Sequence, residues 1–173
     1  MTTPPHHHVV PERAARGRIA LTRDELVAWG KDFGASARPP LVVAISGELG
    51  SGKTTLVQAI CAGAGVREPV TSPTFALVHR YAGTSVTIYH IDLYRLGTPA
   101  ELTNIGWDEI VSAHALVLVE WPERGGRSIP GADVDLALAH ATPGRVVVLN
   151  GRTAAGKTLL GMLTLPGGCS LLR

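Results

Sequence analysis

The chain has 173 residues, 45% of them hydrophobic and 17% charged, with a formal net charge of +2. Those figures suit one folded domain with an ordinary core and exclude a disordered chain; the small charge excess does not by itself argue for nucleic acid. No apolar run approaches the ~18 residues a membrane span needs, the N-terminus has no apolar core for a signal peptide, and Cys61 and Cys169 have neither metal nor disulfide spacing, so a cytoplasmic, reducing setting is expected.

In chain order, residues 1–16 are expected to form a disordered leader, with His6-His7-His8 as part of a floppy tail beside Pro4, Pro5 and Pro11. Residues 17–165 are expected to form one domain, and 166–173 a flexible tail. Gly17 to Leu21 reads as a short strand. Thr22-Arg23-Asp24-Glu25 is a capping box that opens a helix through about Phe33. Leu41 to Ser46 reads as a buried strand, and Thr54 to Ala64 as a helix. Phe75–Tyr81 and Val86–Tyr89 read as a hairpin about the turn signal Ala82-Gly83-Thr84. Thr98-Pro99-Ala100-Glu101 is a second capping box with Pro at the first helical position. Its helix breaks at Gly106 and resumes to about Ala113. Ala115 to Glu120 is apolar until its final acid, the pattern of a strand with parallel neighbours on both sides. Residues 123–133 read as a loop, Val134–Ala141 and Arg145–Leu149 as a hairpin, and Ala154–Leu163 as a short helix. The expectation is an α/β domain of three layers, P-loop NTPase-like, with helices on both faces of a mixed sheet that is parallel in the middle and antiparallel at the edges.

Gly47-Glu48-Leu49-Gly50-Ser51-Gly52-Lys53-Thr54 fits G-x-x-x-x-G-K-[ST]. A strand precedes it and a helix follows, which is the setting the motif needs. The glycines let successive backbone N–H groups turn inward around a polyphosphate, and the helix N-terminus adds partial positive charge there. Lys53 would reach the β- and γ-phosphates and Thr54 would sit on Mg²⁺. The expected nucleotide-binding set is Glu48, Leu49, Gly50, Ser51, Gly52, Lys53, Thr54, Thr55 and Trp121, for ATP or GTP.

A P-loop needs an acid near its metal, at the C-terminal end of a neighbouring strand. Asp92 and Glu120 both end apolar runs. His90, Asp92 and Tyr94 share one face by the period of two. Asp92 as a salt-bridge partner of Arg95 or Arg80, Glu120 as a cap, and His90 as a core residue remain the plain alternatives. Ser72-Pro73-Thr74 supplies two hydroxyls where a switch-like loop would stand. Gly151-Arg152-Thr153-Ala154-Ala155-Gly156-Lys157-Thr158 satisfies the same motif, but Pro166-Gly167-Gly168 follows soon and no acid lies downstream. Lys157 is expected on a helix surface.

Four blocks together resemble the bacterial TsaE (YjeE) family of P-loop ATPases: the P-loop, Thr71-Ser72-Pro73-Thr74-Phe75, Tyr89-His90-Ile91-Asp92-Leu93-Tyr94-Arg95, and Val119-Glu120-Trp121-Pro122. The resemblance runs from about residue 18 to 163. It implies a Mg²⁺-dependent ATPase, weak alone and stimulated by partners. The family serves the synthesis of N6-threonylcarbamoyladenosine at position 37 of tRNAs that read codons starting with A. Its partners are TsaD, which transfers the group, and TsaB; tRNA is met only indirectly. Carried onto this chain, Lys53, Asp92 and Glu120 would be catalytic, Thr54 and Glu120 would ligate Mg²⁺, Trp121 would lie near ATP, and Ser72 and Thr74 would belong to a switch-like loop. The free form would be a monomer. Two competing readings are a small-molecule kinase, for which Arg124 and Arg127 would have to form a lid, and a GTP switch, for which no N-K-x-D base reader follows the P-loop.

Overall fold

Leu41–Gly47 runs through the middle of the molecule, and its neighbours dictate where everything else can go. The computed structural model describes residues 16–129 and 131–164. Expectations for residues 1–15 and 165–173, including His6-His7-His8 and Cys169, lie outside them.

The elements in chain order are β1 (Arg16–Leu21), α1 (Arg23–Ser36), β2 (Leu41–Gly47), α2 (Lys53–Gly63), β3 (Val78–Ala82), β4 (Thr87–Asp92), α3 (Trp107–Ser112), β5 (Ala115–Glu120), β6 (Val134–His140), β7 (Arg145–Gly151) and α4 (Ala154–Met162). A 3-10 segment, Pro99–Ile105, leads into α3, and another, Pro122–Ser128, follows β5. The seven strands form one sheet in the order β1-β7-β6-β2-β5-β4-β3. β2 lies parallel to both β5 and β6, and β4 parallel to β5. The β1–β7, β6–β7 and β3–β4 pairs are antiparallel. The expected mixed sheet is thus present.

Alternation along β5 explains the layers. Leu116 and Leu118 face a core shared with Leu26, Trp29 and Phe33 of α1, Leu56 and Ile60 of α2, and Leu159 and Leu160 of α4. Val117 and Val119 face a smaller core with Leu102, Trp107 and Ile110. Helical segments therefore cover both faces. Every residue of β5 is buried, as a strand flanked by parallel neighbours requires.

Both capping boxes form: Thr22 with Glu25, and Thr98 with Glu101. The helix after Thr22 runs to Ser36, beyond the expected end at Phe33, because Gly34 is not a stop. Gly34 lies where α1 crosses α2, and a Cβ there would stand 1.9 Å from the Ile60 carbonyl oxygen. The strand expected from Phe75 begins only at Val78. Leu77 N–H donates to the Pro73 carbonyl and Leu77 takes a left-handed φ of 62°, so the chain turns there and leaves Phe75 86% exposed. Part of the loop expected at 123–133 is the 3-10 segment Pro122–Ser128.

Gly34→Ala should therefore force the α1–α2 crossing apart, lowering stability by about 1–3 kcal/mol, the usual cost of overpacking; a drop in the urea midpoint at unchanged slope checks it. Cys61 is fully buried and burial pushes its thiol up to about 12. At pH 8 it is the neutral thiol, and the thiolate is the reactive form. In a Cys169→Ser background a thiol reagent should leave the folded protein unmodified at pH 8 and label it on denaturation.

Candidate nucleotide-binding site

The P-loop bends away from β2 at Gly47, whose φ of 139° and close approach to the Leu138 carbonyl exclude a side chain. Gly52, at φ 104°, caps α2 without a side-chain bond, so the first N–H groups of the helix are left to a ligand. Lys53 starts the helix and folds back. Its Nζ donates to the carbonyls of Gly47 (2.7 Å) and Glu48 (2.8 Å) and lies 3.9 Å from the centre of the Trp121 ring. Burial pulls Lys53 below the ordinary lysine range, while the carboxylates of Glu120, Glu123 and Asp92 pull it back up.

The strand ends bring the acids to the same place. β4 and β5 are in register at Asp92 and Glu120. Glu120 is 2% exposed; the Thr54 hydroxyl donates toward both its oxygens at 3.1 Å, and His90 Nε2 lies 2.8 Å from Oε1. With Glu120 ionised, Nε2 carries the imidazole proton. Asp92 anchors the 72–74 loop. Its Oδ2 accepts from Ser72 (2.6 Å) and Thr74 (3.1 Å), and its Oδ1 from the Tyr94 backbone N–H (3.0 Å). Among the described residues it forms no salt bridge with Arg80 or Arg95; Arg95 instead lies over the Phe75 ring. Trp121 takes a left-handed backbone, φ 57°, unusual for an aromatic residue and the kind of strain that collects at functional sites. That conformation places its ring against Tyr94, 5.0 Å between centres.

These groups line one open cavity of about 370 Å³: Leu49, Gly50, Gly52, Lys53, Thr54, Thr55, Ser72, Thr74, Asp92, Tyr94, Glu120 and Trp121. Of the nucleotide-binding set expected from the sequence only Glu48 and Ser51 stand back from it. Glu48 contributes its carbonyl to Lys53, and the Ser51 side chain is buried beneath the loop with its hydroxyl unpaired. His90 acts one step behind the cavity, through Glu120.

The sequence reading missed Arg145 and His140. Arg145 Nε donates to the Ser51 carbonyl at 2.8 Å, and Nη2 to that of Gly50 at 3.3 Å. His140 Nε2 lies 3.4 Å from the Leu49 carbonyl oxygen. Neither residue carries a motif; only the β6–β7 register, which pairs them, reveals them. The second G-x-x-x-x-G-K-T run has a different environment. The Thr153 hydroxyl caps α4 by accepting from Gly156 N–H and donates to Asp133, so a carboxylate already stands at this helix start, and Lys157 is exposed.

The TsaE family, described as "Threonylcarbamoyl adenosine biosynthesis protein TsaE", matches residues 21–142. This chain belongs to the TsaE family. The tRNA threonylcarbamoyladenosine biosynthesis protein TsaE of Haemophilus influenzae is 36% identical over 120 residues, 69% of this chain and 76% of that protein. Its namesake in Treponema pallidum is 33% identical over 120 residues, covering 69% and 88%. The crystal structure of Bacillus subtilis YdiB superposes with a TM-score of 0.69 at 25% identity, over 83% of this chain and 89% of that one. The TsaE match spans all four blocks of the site. Among the described residues no helix is long and apolar enough to cross a membrane.

Asp92→Ala should leave the Ser72 and Thr74 hydroxyls without their acceptor. Amide exchange in a 72–77 peptide should then quicken several-fold while α2 keeps its protection, read by mass spectrometry.

Proposed function

We propose that this chain is the ATP-hydrolysing subunit of the machinery that makes threonylcarbamoyladenosine in tRNA, acting with TsaD and TsaB homologues and not itself transferring the group. The observation that carries this reading is the meeting of the Lys53 ammonium, the Thr54 hydroxyl and the Glu120 carboxylate at the C-terminal ends of parallel strands, in a member of the TsaE family.

The donors fit Mg²⁺. Thr54 and Glu120 offer hard oxygens within hydrogen-bond reach of each other. Mg²⁺ takes few protein ligands and keeps water and phosphate oxygens. Bound there, Mg²⁺ would neutralise charge on the β- and γ-phosphate oxygens. The chain's own residues do the rest. Lys53 has three donor protons and uses two on loop carbonyls, which leaves one for a phosphate oxygen. His90 keeps the Glu120 carboxylate turned toward Thr54. The Trp121 and Tyr94 rings wall the cavity beside Lys53.

Slow turnover in isolation follows from Asp92. Both its oxygens are engaged, by Ser72, Thr74 and the Tyr94 backbone, so it has little capacity left to orient a water. A partner that shifts the 72–74 loop would release it, which couples hydrolysis to docking.

ATP hydrolysis should be slow for the chain alone and should rise at least about tenfold with TsaB and TsaD homologues, the scale of a 1.4 kcal/mol change in barrier. Lys53→Ala should abolish nucleotide binding, Thr54→Ala should raise the Mg²⁺ concentration needed for half-maximal rate, and Lys157→Ala should change neither. Unstimulated fast turnover that tracks phosphorylation of a small acceptor would overturn the reading in favour of a kinase.

A further inference from the structure

We propose that Arg145 is a positioning residue for the phosphate-binding loop, and that the β6–β7 hairpin exists in part to present it. The inference rests on the nucleotide-binding reading of the site. Arg145 lies three residues beyond the stretch that matches the TsaE family, which ends at residue 142.

The geometry is a wall of donors behind three consecutive carbonyls. Arg145 holds those of Ser51 and Gly50, and His140, its cross-strand partner, approaches that of Leu49. In a trans peptide the carbonyl and the following N–H point opposite ways. Holding the Leu49, Gly50 and Ser51 carbonyls toward the hairpin therefore turns the N–H groups of Gly50, Ser51 and Gly52 away from it. Ser51 N–H closes the turn on the Glu48 carbonyl at 3.1 Å. Those of Gly50 and Gly52 remain, on residues that line the cavity and adopt φ of 75° and 104°. Inward amides of this kind form an anion nest. Fixing them before the anion arrives removes a reorganisation cost from binding. The guanidinium also places a cationic group behind the loop.

The buttress is itself anchored. Arg145 Nη1 donates to the Gly144 carbonyl at 2.8 Å. Gly144, at φ 93°, sits so close to β1 that a Cβ would lie 2.1 Å from the Leu21 carbonyl oxygen. Leu21 and Arg145 pair across β1 and β7. The antiparallel side of the sheet thus has a task in the site: it holds one guanidinium still.

Arg145→Met, Arg145→Lys and the control Arg152→Met, whose native partner is Asp135 on the far end of the hairpin, separate this role from general stability. Titration calorimetry with Mg-ATP and Mg-ADP should give dissociation constants about tenfold higher for Arg145→Met, the size of one charged hydrogen bond, an intermediate value for Arg145→Lys, and no change for Arg152→Met. In hydrolysis KM should rise while kcat stays within about twofold, since the nest serves ground and transition states alike. Amide exchange across 48–52 without nucleotide should quicken in Arg145→Met while α1 is unchanged. Should that variant not fold, Arg145→Gln takes its place. A folded variant with both a dissociation constant within about twofold of wild type and unaltered loop exchange overturns the proposal. If wild type itself fails to bind ATP, the functional reading falls, and the exchange measurement alone decides the role of Arg145 on the loop.

Discussion

A carboxylate removed from water must be repaid in hydrogen bonds, and Glu120 meets that demand from two directions. At 2% exposure it is bonded by Thr54 from the start of α2 and by His90 from β4. Those bonds tie three elements to one point: the helix after the P-loop, the strand that carries Asp92, and β5, which lies between that strand and β2. Because β4 and β5 are in register at Asp92 and Glu120, fixing one acid fixes the height of the other. The backbone follows suit. Leu93 N–H donates to the Glu120 carbonyl and Trp121 N–H to that of Ile45, so the chain leaving each strand is pinned to the neighbouring strand's end.

From that point the site divides into a part held by many bonds and a part held by few. The P-loop is gripped on both sides, by Lys53 in front and Arg145 behind. The 72–74 loop hangs from a single carboxylate through two hydroxyls. Side-chain hydrogen bonds at a half-exposed position contribute about 1 kcal/mol each. A docking partner can supply energy of that size, whereas dislodging the P-loop would break charged bonds backed by strand pairing.

Much of this was legible in the sequence because local rules and the fold agree. The capping boxes at Thr22 and Thr98, the apolar run of β5 and the acids at the ends of β4 and β5 all appear where pattern places them. The misses share a cause: tertiary contact overrode local preference. Gly34 looked like a helix end and is a helix crossing. Phe75 looked like strand, but the backbone turns at Leu77 before the strand can begin. Arg145 looked like any arginine after a Pro-Gly turn, and nothing within several residues of it hints at a loop 94 positions away.

The repeated G-x-x-x-x-G-K-T pattern makes the same point more sharply. Both copies follow a strand and open a helix. The difference lies in what surrounds the turn. At the first, the helix cap is a bare glycine, the acids stand on adjacent strands, and the carbonyls are held from behind, so the amides are free for an anion. At the second, Asp133 accepts from both Thr153 and the Val42 backbone N–H, and the Thr153 hydroxyl satisfies Gly156. A phosphate there would have to displace a side-chain cap and lie beside a fixed negative charge, which costs rather than gains energy at a helix N-terminus. The surroundings of such a turn are therefore set by groups remote in sequence, and at the first turn the β6–β7 hairpin supplies two of them, Arg145 and His140.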